Sequence, residues 1–551
     1  MVSATTQVDN ISSNGLKNES SSSPSSYTSF ASGAIAKILS PAYQPAVYLA
    51  RQACISLLSR LDLPGASGVM EIIEQDGKQT TLFGDPVSKR AILKKDKLSS
   101  KHEFTHAILN VKNEIFWIRL ALGSDLGFAE SYMLAEVETN DLGDCFKLFI
   151  ENRDVLSNLS IGLISKASSY LQSVLNRRYA NTKSGSLRNI GAHYDISNRM
   201  YEAFLSRDMM YSCAVFPTLD ADVSGPLLES VRNLKAAEEQ ANTNGHSHIN
   251  GNNSTESGIA APVRYDIGST NETNAPNGQL TPPDSITGAT PRSPLLLATD
   301  ELEDGQLRKV RLHLDRACLR SNHHLLEIGT GWGTLAIEAV RSSGCKVDSL
   351  TLSVEQKALA EQRISQAGLS DKIKVHLMDY RDMPIEWNER FDRIISIEML
   401  EAVGIEYLPT YFENVNRVLK RDTGVCVVQV ITMPEERFDS YINEVDFIRK
   451  WIFPGGVLPS VTSLIDAATK GAKGSLILDT VHSIGPHYAR TLREWRQRFE
   501  QHFDEKIRPA LLDDHAEIRH LSPSEKQNKF KSLDVNGYTI SFIVKSVSLK
   551  E

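Results

Sequence analysis

The chain has 551 residues and a formal net charge of −8, enough length for about two or three domains with a sizeable core and no electrostatic reason to expect nucleic acid. Its six cysteines, Cys54, Cys145, Cys213, Cys318, Cys345 and Cys426, form neither a C-x-x-C pair nor a dense framework, which points to a reducing compartment and away from a structural zinc site. No apolar run approaches the ~20 residues that span a bilayer, and the N-terminus lacks the basic and apolar regions of a secretory signal, so neither a membrane span nor a secretory signal is expected.

Residues 1–28 are rich in Ser, Asn and Thr and are expected to be a disordered tail. A smaller α+β domain is expected over 29–181. Within it Val47, Ala50, Cys54, Leu57, Leu58 and Leu61 recur at helical spacing, with Arg51 and Arg60 between them. That helix either packs on its own domain or rests on anionic membrane through its arginines. Met70 to Leu82 reads as a hairpin turning at Gln75-Asp76-Gly77-Lys78, and Phe104 to Leu122 adds strand and helix. A second domain is expected over 182–551. It is interrupted by an insert at 220–299 that is dense in Asn, Ser, Thr, Gly and Pro and too poor in large apolar residues to offset the entropy of ordering.

After the insert the pattern becomes regular. Leu325-Leu326-Glu327-Ile328 reads as a buried strand running into Gly329-Thr330-Gly331-Trp332-Gly333, with a helix from Leu335 to Arg341. Glycines let such a turn approach a ligand closely, and the helix directs its free N–H groups toward it. Strands follow at Lys346–Ser353, Lys372–Asp379, Arg390–Ile397 and Gly424–Ile431, with helices at Val354–Gly368 and Tyr407–Leu419. Alternation at this spacing implies an α/β, doubly wound, Rossmann-like parallel sheet that binds ligands at the carboxyl ends of its strands. No G-x-x-x-x-G-K-[ST] is present, and the third glycine follows the second by two residues rather than three, so a nicotinamide or phosphate ligand is disfavoured.

Several ordered blocks carry a resemblance. They are His193-Tyr194-Asp195-Ile196-Ser197-Asn198 with Tyr201; Tyr211-Ser212-Cys213-Ala214; the glycine turn; Thr351-Leu352-Ser353 with Gln356; Glu398 to Gly404; and Ile452-Phe453-Pro454-Gly455-Gly456 with Leu458-Pro459-Ser460. In this combination the chain resembles the S-adenosylmethionine-dependent methyltransferases, and among them the cyclopropane-fatty-acyl-phospholipid synthases, in a plant- or fungal-like form. The resemblance implies a methyltransferase domain that holds S-adenosylmethionine through Tyr211, Ser212, Gly329, Gly331, Gly333, Thr351, Gln356, Asp379 and Tyr380. It also implies an N-terminal domain concerned with lipid access and association, compatible with a homodimer, and a cytoplasmic, peripherally membrane-associated protein.

The reaction implied is attack of a cis double bond, in an unsaturated phospholipid at a membrane surface, on the sulfonium methyl, with loss of a proton and closure of a cyclopropane ring. In the family a bound bicarbonate is the base. By the same resemblance Glu401 orients it, Tyr488 is its partner, and Cys213, Gln429 and Ile431 contribute the remaining contacts. Two positions depart from bacterial members, which carry histidine where this chain has Gln429 and Ala402. The family's aromatic and acidic helix is not recognisable between Arg508 and Gln527, whereas Phe530-Lys531-Ser532-Leu533 and a final strand through Val544 fit better. Two rival readings stay open: a methyl-branching fatty acyl or sphingolipid C-methyltransferase, and a catalytically silent lipid-binding homologue.

Overall fold

The structure is a computed structural model that describes residues 44–74, 77–93, 104–156, 198–219 and 300–514. The expected N-terminal tail, the 220–299 insert, the block His193–Ser197 and the chain beyond 514 lie outside the described residues. Two compact units emerge, one drawing on Met1–Ala180 and Glu436–Gly455, the other on Asn181–Glu435 and Gly456–His515.

The first unit begins with α1 (Gln44–Leu58) and continues through β1 (Val69–Glu74), β2 (Gln79–Gly84), α2 (Pro86–Leu93), β3 (His106–Val111), α3 (Ile115–Met133), β4 (Val137–Thr139) and α4 (Leu142–Glu151). The sheet order is β2-β1-β3-β4. β1 and β2 form the expected antiparallel hairpin, with Glu74 opposite Gln79, while β1 and β3 run parallel. Alternation along β1 and β3 directs Met70, Ile72, Ala107 and Leu109 into one core with Phe116, Trp117 and Leu148. Cys54 and Leu58 of α1 join that core, so this helix packs on its own domain. Arg51 turns inward, 2.6 Å from Glu74 and with its guanidinium 5.7 Å from the Trp117 ring centre.

The sequence reading places 436–455 in the second domain, expected over 182–551, whereas in the structure this segment clusters with the first unit. The physical reason is apolar: Phe447 and Ile452 cluster with Leu126 and Ala129. Lys450 also pairs with Glu130 at 2.5 Å, and Trp451 Nε1 donates to the same carboxylate at 3.2 Å.

In the second unit, α5 (Asn198–Phe204) and α6 (Glu301–Arg316) precede the sheet. Then come β5 (His324–Ile328), α7 (Thr334–Ser343), β6 (Lys346–Thr351), α8 (Val354–Gln366), β7 (Ile373–Leu377), β8 (Arg393–Ile397), α9 (Leu408–Val418) and β9 (Val425–Gln429), followed by α10 (Val461–Gly471) and α11 (Gly485–His502). The strand order is β7-β6-β5-β8-β9, every pairing parallel. This is the doubly wound α/β sheet expected, with strand ends shorter than predicted by up to three residues. Side-chain alternation sends Leu325, Val347 and Ile395 to a core with α7 and α8, and Leu326, Leu350 and Ile394 to a core with α9. Asp300 caps α6 by accepting from the N–H groups of Leu302 and Glu303. α11 starts at Gly485, where Pro486 in its first turn is pre-set for a helix start. Among the described residues no helix is long and apolar enough to cross a membrane.

Trp117 is fully buried and its Nε1 donates to Glu74 at 3.1 Å. Trp117→Ala is expected to cost about 3–5 kcal/mol in the first unit's urea transition; a loss below about 1 kcal/mol would show that this ring does not organise the unit.

Candidate active site

Strand order reverses between β5 and β8, so the loops leaving their carboxyl ends diverge and leave a crevice. A cavity of about 190 Å³ lies there, lined by Tyr211, Ser212, Gly329, Gly331, Thr351, Gln356, Asp379 and Tyr380 among others. Of the nine residues expected to hold a cofactor, Gly333 alone is outside its lining. At Gly331 (φ +50) an added Cβ would meet nothing within 4 Å, so its bare backbone borders open space. Gly333 (φ +89) does a different job: a Cβ there would come 3.3 Å from that of Ala360 on α8. It lets the start of α7 close against its neighbour, and its assignment as a ligand contact is corrected accordingly.

The second strand end offers hydroxyl and amide groups, as the sequence suggests. Thr351 Oγ1 donates to Gln356 Oε1 at 2.9 Å, which leaves the donating NH2 of Gln356 for a ligand. Ser353 caps α8 by accepting from Gln356 N at 3.1 Å. Asp379 is engaged twice by Arg381, at 2.8 Å from Nε and 2.7 Å from Nη2, so this carboxylate meets a ligand already paired. Tyr380 packs edge-on to Tyr411 at 5.2 Å, and burial pushes its phenol up to about 12.

Several residues the sequence reading leaves unassigned take part. Glu327, in the middle of an apolar strand, is 3% exposed, lines the cavity and accepts from Ser349 Oγ at 2.5 Å. Burial pushes its carboxyl up to about 8. Lys309 is fully buried on α6, its Nζ donating to Ser212 Oγ at 2.7 Å, and burial pushes its ammonium down to about 8. One turn further, His313 shares a 2.6 Å hydrogen bond with Gln429 Oε1. The available signals are an acid inside an otherwise apolar strand and a Lys/His pair four residues apart on one helix face.

The expected catalytic residues gather around two carboxyls rather than one. Glu398, the residue immediately after β8, accepts from Cys213 N at 2.9 Å and from Gln429 Nε2 at 2.7 Å, both at Oε1. Tyr488 Oη donates to Glu398 Oε2 at 3.2 Å. Glu401 takes only one of the expected partners: its Oε1 accepts from Ile431 N at 2.6 Å, while its enclosed Oε2 has no hydrogen-bond partner. The structure therefore brings Cys213, Gln429, Ile431, Tyr488 and Glu401 together, but it gives the central position to Glu398. Burial raises both carboxyls above the usual range, that of Glu401 to about 8, where the neighbouring Glu398 charge adds to the effect. Three hydrogen bonds and the charge of Lys309 oppose the rise at Glu398.

Around this cluster stand aromatic rings. Tyr211 lies 5.3 Å from Tyr201 and 5.1 Å from Trp495; Trp495 lies 6.3 Å from Tyr488. Trp332, from the glycine turn, packs 5.3 Å from Tyr201 and donates from Nε1 to Asn198 at 2.9 Å. Ring faces of this kind favour positive charge in a site closed to water.

The buried acids fix the direction of a pH effect. With its folded value raised from 4.5 to about 8, Glu327 keeps between those limits a proton that the unfolded chain has released. Stability is therefore expected to fall as pH rises through that window. Glu327→Gln should flatten part of the fall in urea midpoints measured across it; an unchanged slope would mean that Glu327 is ionised in the native state throughout.

The family model described as mycolic acid cyclopropane synthetase matches residues 181–234 and 296–522, just over half of the chain. Tuberculostearic acid methyltransferase UfaA1 of Mycobacterium tuberculosis is 31% identical over 417 residues, which span 75% of this chain and 78% of that protein. The cyclopropane-fatty-acyl-phospholipid synthase of Escherichia coli is 34% identical over 200 residues, 36% of this chain and 48% of that one. Among solved structures, the cyclopropane synthase MmaA2 of Mycobacterium tuberculosis aligns at 21% identity with a TM-score of 0.41, covering 65% of this chain and 94% of that one. With the matched residues spanning the glycine turn, both carboxyls and Tyr488, the chain belongs to the mycolic acid cyclopropane synthetase family of methyltransferases.

Proposed function

We propose that the chain adds a one-carbon bridge from S-adenosylmethionine across the cis double bond of an unsaturated phospholipid acyl chain, at a membrane surface, leaving a cyclopropane. S-adenosylmethionine supplies an electrophilic methyl group on a positively charged sulfur. The residues present suit such a ligand: Gly331 offers backbone with open space beside it, Gln356 an amide donor, and the cavity wall includes the carboxyls of Glu327 and Glu398 facing a cationic guest. The single observation that carries the reading is the continuity of that cavity with an enclosed proton acceptor, since Glu398 belongs both to the wall and to the carboxyl cluster.

The chain's part in the chemistry follows from this geometry. An alkene becomes positively charged once it has taken up a methyl group, and aromatic rings on the cavity wall such as Tyr211 and Trp332, backed by Tyr201 and Trp495, stabilise that charge while excluding water. A base must then lie within hydrogen-bond reach of the departing proton. Which proton leaves decides the product. Loss from the added carbon onto the cationic neighbour closes a ring; loss from the acyl chain leaves a methyl branch beside an alkene; and a hydride shift to the cationic carbon, followed by loss from the added carbon, leaves a methylene branch. The branched outcome is the second reading, and the name of the 31% identical Mycobacterium tuberculosis relative, a tuberculostearic acid methyltransferase, favours it.

Mass spectrometry of phospholipids from a host expressing the chain separates the products. A gain of one CH₂ with loss of the alkene is the expected result. The same gain with the alkene retained supports branching, and no change despite cofactor binding supports a silent homologue. On the cofactor side, Gly331→Ala is expected to weaken S-adenosylhomocysteine binding by calorimetry about tenfold or more, because its methyl enters the open cradle, while costing about 1–2 kcal/mol of stability for the left-handed backbone. Equal affinity in the variant would move the ligand away from this turn.

A further inference from the structure

We infer that Glu398 is itself the base of this reaction, occupying with its own carboxylate the position from which a bicarbonate ion would act, so that the chain works without bicarbonate. The inference rests on the proposed reaction and adds the group that accepts the proton.

A small anion serving as base needs donors that hold it and a position beside the reacting carbon. Of the donors expected for it, Cys213 N, Gln429 and Tyr488 already donate to Glu398, at 2.9, 2.7 and 3.2 Å, and Ile431 N donates to Glu401 at 2.6 Å. The residues present therefore do not fit a separate bicarbonate ion, because the donors it requires are already taken by the protein's own carboxyls, three of the four by Glu398. Gln429 is oriented for this role: its carbonyl oxygen faces His313 Nε2, which turns its NH2 toward Glu398.

The two carboxylate oxygens differ. Oε1 receives a main-chain N–H and an amide N–H, neither of which can accept a proton in exchange. Oε2 has the Tyr488 hydroxyl as its partner, which can either donate or accept, so Oε2 is the oxygen free to become protonated. In the step assigned here, a C–H bond of the added carbon breaks. Its electron pair forms the second ring bond to the neighbouring cationic carbon, and the proton passes to Glu398 Oε2, giving a neutral carboxylic acid that later returns it to water. Charge and atoms balance without a further reactant.

Two features of the backbone and its neighbours agree. Glu398 has φ +48, a left-handed conformation uncommon for a residue with a side chain. It is held there by its N–H donating to Gln429 O at 2.8 Å. Beside it Glu401, its Oε2 unpartnered and its carboxyl pushed up to about 8, keeps its proton near neutrality. Paired carboxyls in unequal surroundings divide into one that carries the proton and one that accepts it.

The test uses the purified full-length chain, vesicles of unsaturated phospholipid, and buffer either stripped of carbon dioxide or supplied with bicarbonate. Wild-type turnover, followed as S-adenosylhomocysteine release, is expected to be the same in both buffers. Glu398→Gln should lose about 100-fold or more while still binding S-adenosylhomocysteine by calorimetry. Glu398→Gly suits the left-handed backbone and empties the position, so it should bind isotope-labelled bicarbonate by NMR and regain turnover when the ion is added; the wild type should not bind it. Wild-type activity that disappears on stripping, or undiminished turnover in Glu398→Gln, overturns the inference. Should the wild type turn over no unsaturated lipid, the functional reading fails and the NMR contrast decides this inference alone. Labelled bicarbonate bound by Glu398→Gly and not by wild type supports it, and equal binding by both overturns it.

Discussion

Gln429 holds Glu398 twice, and the site depends on that double tie. Its main-chain carbonyl receives the Glu398 N–H at 2.8 Å, continuing the parallel ladder one step past the Ile397–Gln429 pair, and its side-chain amide donates to Oε1 at 2.7 Å. The carboxyl is thereby fixed by the sheet rather than by a loop. His313 sets the amide's orientation in turn; burial pushes its imidazole down to about 4, so it stays neutral and its Nε2 proton has one evident acceptor. A glutamine that cannot titrate is well suited here, because its task is to orient.

Burying so many ionisable groups is costly unless they compensate one another. Lys309 supplies the compensation: its charge acts on Asp208, Glu327 and Glu398, and its ammonium is tied to Ser212. Met209, next to Asp208 and itself on the cavity wall, also has a positive φ of 60. Strained backbone next to perturbed carboxyls is a recurrent mark of sites assembled for chemistry.

Much of the second unit is legible in the sequence because local pattern and global topology agree. Five apolar runs recur with helices between most of them, four of the strand ends are marked by glycine, hydroxyl or acid, and the sheet forms as that order dictates. The identities of the gathered residues were legible too. What the chain order could not tell was which of two glutamates, three residues apart, would receive the hydrogen bonds. That choice is made by the left-handed turn at Glu398 and the register of β8 with β9, neither of which has a one-letter signature. Gly333 misled for a related reason: a glycine needed for helix packing looks the same as one needed for a ligand. Lys309 and His313 were hidden because α6 starts directly after a long polar stretch with no motif to announce it.

The segment 436–455 carries a separate lesson. The chain leaves its catalytic sheet after β9, contributes Phe447 and Ile452 to the apolar cluster of the first unit, and then returns to supply α10 and α11. A gene fragment cut at residue 181 would therefore strand a greasy excursion whose seat had been deleted. The polypeptide thus enters the first unit a second time, far downstream of residue 181.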